Sequence, residues 1–175
     1  MKRKYVHFII FAAVAAVVVA IDRVTKVLAV SSLRGEPSVV LIPGALELTY
    51  VENRGMAFGL LQGKQIFFLI ATVIILGFVV FLLIRMPKAK KMLPLLVSMA
   101  AIGGGAVGNL IDRVFQRYVV DFIYVSLIDF PVFNVADSFV TIGAIVTAAL
   151  LLFYYKDDDL KPFFAFRKKG KEPAE

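Results

Sequence analysis

The sequence predicts an all-α membrane protein with four transmembrane helices, and three observations carry that reading. Of its 175 residues 60% are hydrophobic, well above the roughly 45–50% of soluble domains. The apolar residues come in blocks, 5–21, 65–84, 92–111 and 138–155, none containing Asp, Glu, Lys or Arg. Each approaches or reaches the roughly 20 residues that a bilayer-spanning helix needs. The basic residues cluster before the first block (Lys2, Arg3, Lys4), between the second and third (Arg85, Lys88, Lys90, Lys91) and after the fourth (Arg167, Lys168, Lys169, Lys171). Four spans put these clusters on one side, which the positive-inside rule makes cytoplasmic. Both termini are then expected inside, with segments 31–64 and 112–137 outside. The +7 net charge is explained by this placement, and no aromatic-interleaved basic patch points to nucleic acid.

The chain reads as one membrane domain, 1–155, with a cytoplasmic tail, 156–175, Asp-rich and then Lys-rich and expected to be solvated. A basic start followed by an apolar run resembles a signal peptide. The run is long and continues into Asp22-Arg23-Val24-Thr25-Lys26 without a clear cleavage site, so a retained helix is expected. There is no cysteine, which excludes disulfides, thiolate catalysis and cysteine metal sites. The single histidine, His7, falls near the cytoplasmic end of the first helix, leaving an outer Ser-His triad without a base.

The first helix is rich in Ala and Val and is expected to end near Val30. Asp22 and Lys26, at i and i+4, share a face. They form either a local salt bridge, with Lys26 snorkelling outward, or a group that orients something at an outer site. In the outer segment, 46–52 alternates as a short strand does, after a Pro43-Gly44 turn signal. The stretch from Glu52 through Asn53 and Gly55 to Gly59 suggests backbone in close contact with something. The second helix is uniformly apolar and carries no visible chemistry. The third changes character at Gly103-Gly104-Gly105-Ala106-Val107-Gly108, where small residues at Gly104 and Gly108 permit close helix approach. Asn109, Asp112 and Arg113 then share one face, the last two reading as structural ion pairing.

A second outer strand is expected over 117–124, with Asp121 its only acid. Asn134 is positioned to cap the fourth helix, placing Asp137 in the first turn, where the helix dipole favours an anion. Carboxylates beside membrane-depth sequence are functional hypotheses by default. The topology puts Asp121 and Asp137 on the same outer side, where two carboxylates sharing a proton perform acid–base chemistry on water.

Five motifs now stand in one order: Asp22, Thr25 and Lys26; Asn53-x-Gly55-x-Ala57-Phe58; Gly104-Gly105-Ala106-x-Gly108-Asn109-Leu110-x-Asp112-Arg113; Val119-Val120-Asp121-Phe122; and Phe133-Asn134-x-Ala136-Asp137. Together, across most of the chain, they resemble the lipoprotein signal peptidases (signal peptidase II), bacterial membrane aspartyl proteases. The resemblance implies removal of signal peptides from prolipoproteins just before a diacylglyceryl-modified cysteine. It places the catalytic pair on Asp121 and Asp137, and substrate-binding or site-ordering roles on Asn53, Gly55, Asn109, Arg113, Asn134 and Asp22, with Asp112 as structural support. It also implies a small extracytoplasmic β cradle with a mobile flap within 31–64, in the bacterial inner membrane. No metal or cofactor is expected; the partners are prolipoprotein substrates and membrane lipids, and a monomer is expected. Met56, where Ala is usual, and the extended basic tail depart from the family pattern.

Two other classes fit parts of the pattern. A small transporter or proton-coupled channel would line a polar pathway with Asp22, Arg113, Asp121 and Asp137, but the polar residues collect at one membrane face. A non-catalytic assembly factor would tolerate Asp→Asn changes.

Overall fold

The computed structural model describes residues 5–55 and 65–164. Four of its helices are long and apolar enough to cross a membrane: α1 (Val6–Leu33), α2 (Gln65–Arg85), α3 (Leu93–Phe115) and α4 (Val135–Ala149). A single tight turn, Lys90–Met92, precedes α3, and a wider helical turn, Leu150–Tyr154, prolongs α4. A three-stranded antiparallel sheet, in the order β1 (Val39–Ile42), β2 (Leu46–Asn53), β3 (Val119–Tyr124), lies at the end of the bundle where α1 and α3 finish.

Helix α3 is the axis of the bundle. In its most apolar window 56% is buried, against 17% for α2 and 11% for α1 and α4; those three turn exposed Val, Ile, Leu and Phe outward, as lipid-facing surfaces do. The glycine run lets the neighbours come this close. A Cβ on Gly104 would stand 2.8 Å from Val18 Cβ and 2.9 Å from the Ala15 carbonyl on α1. One on Gly105 would stand 2.5 Å from the Ala136 carbonyl on α4. Small residues replace a hydrophobic driving force that lipid cannot supply between membrane helices.

The predicted strand at 46–52 is β2. Gly44, in a left-handed conformation (φ +68°), turns the chain into it from β1, a strand the alternation of the sequence did not reveal. β1 reads Val-Val-Leu-Ile with every residue exposed, so there is no period to detect. Helix α3 runs past the charge-free block and, with Asn109, Asp112 and Arg113 in it as expected, ends at Phe115. Arg117 then adopts a left-handed backbone (φ 65°), and β3 begins at Val119.

At the opposite end the tail departs from expectation. Asp157–Phe164 forms a short helix, α5. Asp157 and Asp158 are solvated as expected, but Phe163 is buried with Val79, Leu83, Met92 and Leu96. Arg85 Nη1 donates to the Phe163 carbonyl at 3.3 Å, tying α5 to the end of α2.

Candidate active site

Two local features bring Asp121 and Asp137 to one cavity. In the sheet, Val51 lies opposite Asp121 and Asn53 opposite Val119, past an irregularity in β2 between Leu48 and Val51. Asn53 is thus the diagonal neighbour of Asp121, within side-chain reach. Beyond β3 the chain loops back. Phe133 N–H donates to the Ile123 carbonyl at 3.0 Å, and Ile123 N–H donates to the Phe133 carbonyl at 2.8 Å. That bridge carries residues 134–137 to the side of β3 and starts α4 there.

Asn134 caps α4 as predicted. Its Oδ1 accepts from Asp137 N–H at 3.0 Å, and Asn134 N–H donates to Asp137 Oδ2 at 3.2 Å. This reciprocal capping box fixes the Asp137 carboxylate at the positive end of the helix dipole. The remaining oxygen, Oδ1, accepts from Asn109 Nδ2 at 2.7 Å.

Asp121 is only 1% exposed. Its Oδ2 accepts from Asn53 Nδ2 at 2.7 Å and its Oδ1 from Asn134 Nδ2 at 2.6 Å. Burial, followed by the nearby Asp137 charge, pushes the Asp121 carboxyl up to about 7, against the pull of the two amide donors. An ordinary carboxyl titrates near ~3.9. The folded state therefore holds a proton the unfolded chain has lost, and stability attributable to Asp121 falls as pH rises from about 4 to about 7.

Asn53, Gly55, Asn109, Arg113, Asp121 and Asp137 line a single cavity of about 530 Å³. Asn53 Oδ1 accepts from Gly55 N–H at 2.9 Å, which folds the chain at the rim and leaves the Asn53 amide free to face Asp121. Arg113 lies over the Phe68 ring, 5.3 Å from its centroid, and its charge acts on both carboxylates. Asn134 and Asp22 are fully buried and stand behind the cavity. Asn134 bridges the two carboxylates. Asp22 Oδ1 accepts from Ala136 N–H at 3.2 Å, satisfying one of the orphan donors of α4's first turn. Met56 and most of the stretch after Gly55, including the expected flap, lie outside the described residues.

Lys26 does not snorkel. It is 2% exposed and reaches inward to Asp22 Oδ2 (3.1 Å), Asp112 Oδ2 (2.9 Å) and Asn109 Oδ1 (2.8 Å). Asp112 pairs with Lys26 and with Arg23 (2.6 Å), rather than with its neighbour Arg113. Its Oδ2 also accepts from Val120 N–H at 3.3 Å, joining the end of α3 to β3. Arg23 closes this buried cluster through Asp22 Oδ2 at 3.0 Å.

Sequence reasoning missed Arg23 as a member, although its place beside Asp22 was a usable signal. It also missed the cavity's largely apolar wall, formed by Phe68, the 130–133 loop and Ile142 with the hydroxyl-bearing Thr141. In an apolar helix, lipid-facing and cavity-facing residues look alike.

The family described as signal peptidase (SPase) II matches residues 14–153. A lipoprotein signal peptidase of Streptococcus thermophilus (strain CNRZ 1066) is 38% identical over 141 residues, covering 81% of this chain and 89% of the relative. One from Caldanaerobacter subterraneus subsp. tengcongensis is 45% identical over 141 residues, covering 80% and 94%. Two solved bacterial membrane enzyme structures obtained by the in meso method superpose with TM-scores of 0.70 and 0.71. Their identities are 37% and 39%; they cover 84% and 83% of this chain, and 92% and 94% of their own chains are matched.

Proposed function

The chain belongs to the signal peptidase II family, and from that premise we propose that it removes signal peptides from prolipoproteins of the bacterial inner membrane, as a water-using aspartic endopeptidase with Asp121 and Asp137 as its catalytic pair. The observation that carries this reading is the convergence of both carboxylates on one cavity, linked through Asn134 and Asn109.

The environments differ in a way that assigns roles. Asp137, in a capping box at a helix N-terminus, is the ionised member. Asp121, whose carboxyl titrates at about 7, carries the shared proton. Water held between them loses a proton to Asp137 as its oxygen attacks the scissile carbonyl, while Asp121 gives its proton to the carbonyl oxygen. Collapse of the tetrahedral diol returns that proton to Asp121 and passes the one on Asp137 to the leaving amine. Arg113 and Asn53 hold the peptide against the pair.

The bond cut is the one before a diacylglyceryl-modified cysteine. The substrate's acyl chains keep it in the bilayer, and the mixed wall of Phe68, Thr141 and Ile142 suits lateral entry between α2 and α4. The lysines between α2 and α3 lie inside by the positive-inside rule, which puts the sheet and the cavity at the outer face. Each chain carries the whole site, so a monomer suffices.

The direct test is cleavage of a diacylglyceryl-modified prolipoprotein by purified protein in detergent–lipid micelles. Release of the signal peptide from the modified precursor, with little from the unmodified one, is expected. Absence of cleavage by folded protein, or proton flux in proteoliposomes, would favour a transport role instead. Activity is expected to require the proton on Asp121. The rate therefore falls above pH about 7, by about tenfold per unit, and a profile flat to pH 9 would contradict that role. Thr141→Trp, filling the entry wall, is expected to raise KM several-fold with little change in kcat.

A further inference from the structure

We propose that Lys26 is a positioning residue for the reaction, fixing the orientation of the Asn109 amide and through it the hydrogen bond that holds Asp137 as the base. The proposal rests on the aspartic reading above and adds a residue that touches neither substrate nor water.

An ammonium group has three donors and no acceptor. Two of those on Lys26 are taken by Asp22 Oδ2 and Asp112 Oδ2, at 3.1 and 2.9 Å. These pairings, with Arg23, already balance the buried charges. The third goes to Asn109 Oδ1 at 2.8 Å, out of the ion-pair cluster and into the site. Asn134 Nδ2 donates to the same oxygen at 3.1 Å. With two donors on its oxygen, Asn109 has only its NH2 to present on the other side, and Nδ2 donates to Asp137 Oδ1 at 2.7 Å.

The reversed amide would set a carbonyl against the Asp137 carboxylate and its NH2 against an ammonium. Lys26 makes that state inaccessible, because the cation cannot accept. Asn134 gives one amide hydrogen to Asp121 and the other to Asn109 Oδ1 at 3.1 Å; this neutral and longer bond supports the same orientation less strongly than the 2.8 Å charged one from Lys26. The charged groups around the pair are Lys26, Asp22 and Arg23 on α1, and Asp112 and Arg113 on α3. Only Lys26 among them bonds an amide that bonds an aspartate of the pair.

Lys26→Met alone leaves two buried carboxylates, Asp22 and Asp112, sharing one cation, Arg23, and endangers folding. The working variant is therefore Lys26→Met with Asp112→Asn, which removes one cation and one anion together, compared with Asp112→Asn alone and with the same changes in an Asn109→Ala background. Expected for the folded double variant are a kcat at least about tenfold below that of Asp112→Asn, an unchanged KM, and an acidic limb of the pH–rate profile raised by about one unit. Asp112→Asn alone does not raise that limb. In the Asn109→Ala background the Lys26 change costs little more, because its route is gone.

A double variant with the kcat and profile of Asp112→Asn overturns the proposal, as does a full additional loss in the Asn109→Ala background. Asp121→Asn and Asp137→Asn, run in the same preparation, separate the two readings. If they cleave, the aspartic assignment falls; if they do not and Lys26 proves neutral, only the positioning role falls.

Discussion

Asp121→Asn and Asp137→Asn are each expected to lower cleavage of a diacylglyceryl-modified prolipoprotein by about 10³-fold or more, with the protein still folded. In the proposed mechanism the two carboxylates share one proton-transfer task, so either loss would remove the base or the donor, and the double variant is expected to be scarcely worse than either single one. Both substitutions also strain the fold. Asn at 121 meets amide donors on both sides, from Asn53 and Asn134, and Asn at 137 meets Asn109 Nδ2 and the Asn134 N–H, so in each the new NH2 must face a donor. That conflict costs about 1–3 kcal/mol and shows as a lowered Tm. Single-turnover cleavage measured beside thermal unfolding separates the loss of chemistry from the loss of stability. Residual cleavage within tenfold of wild type in either folded variant would remove that residue from the reaction.

The candidate site was largely legible because its polar residues stand where the surrounding sequence is apolar. Asp121 is the one acid in Val-Val-Asp-Phe-Ile, and nothing about a strand explains it. Asn134 followed by Asp137 is a capping pattern with a physical meaning, and the structure contains that capping box. The four spans were readable because lipid imposes length and composition together. What stayed hidden was direction. The i,i+4 spacing of Asp22 and Lys26 predicts a shared face but not whether the face turns to water or to α3. It turns to α3, because Gly108 leaves room there: a Cβ on Gly108 would stand 2.6 Å from Asp22 Oδ2. The neighbours Asp112 and Arg113 suggested pairing with each other, yet side chains one residue apart on a helix point about 100° apart. One enters the charge cluster of α1 and the other the cavity. The burial of Phe163 was equally invisible, since the adjacent acids and lysines set the apparent character of the tail.

Gly105→Ala is expected to cut activity strongly, by a route different from loss of an aspartate. The added methyl would meet the Ala136 carbonyl at 2.5 Å and Val140 Cγ2 at 2.8 Å. A side chain can rotate away, but a helix backbone cannot, so α3 and α4 must separate or shift. Overpacking of this kind costs about 1–3 kcal/mol. The functional loss is larger than that figure suggests, because Asn109 on α3 and Asp137 on α4 are coupled by one 2.7 Å hydrogen bond across the same interface. Ala136, whose carbonyl would be displaced, also donates its N–H to Asp22, so the start of α4 loses a second anchor. Gly77→Ala supplies the control. A Cβ there meets nothing within 4 Å, and replacing a helical glycine by alanine gains about 0.5–1 kcal/mol. Gly77→Ala therefore keeps wild-type cleavage with an equal or higher Tm, while Gly105→Ala loses about a hundredfold or more in kcat and several degrees in Tm. Equal behaviour of the two variants would mean that close approach of α3 to α4 does not set the geometry of the pair.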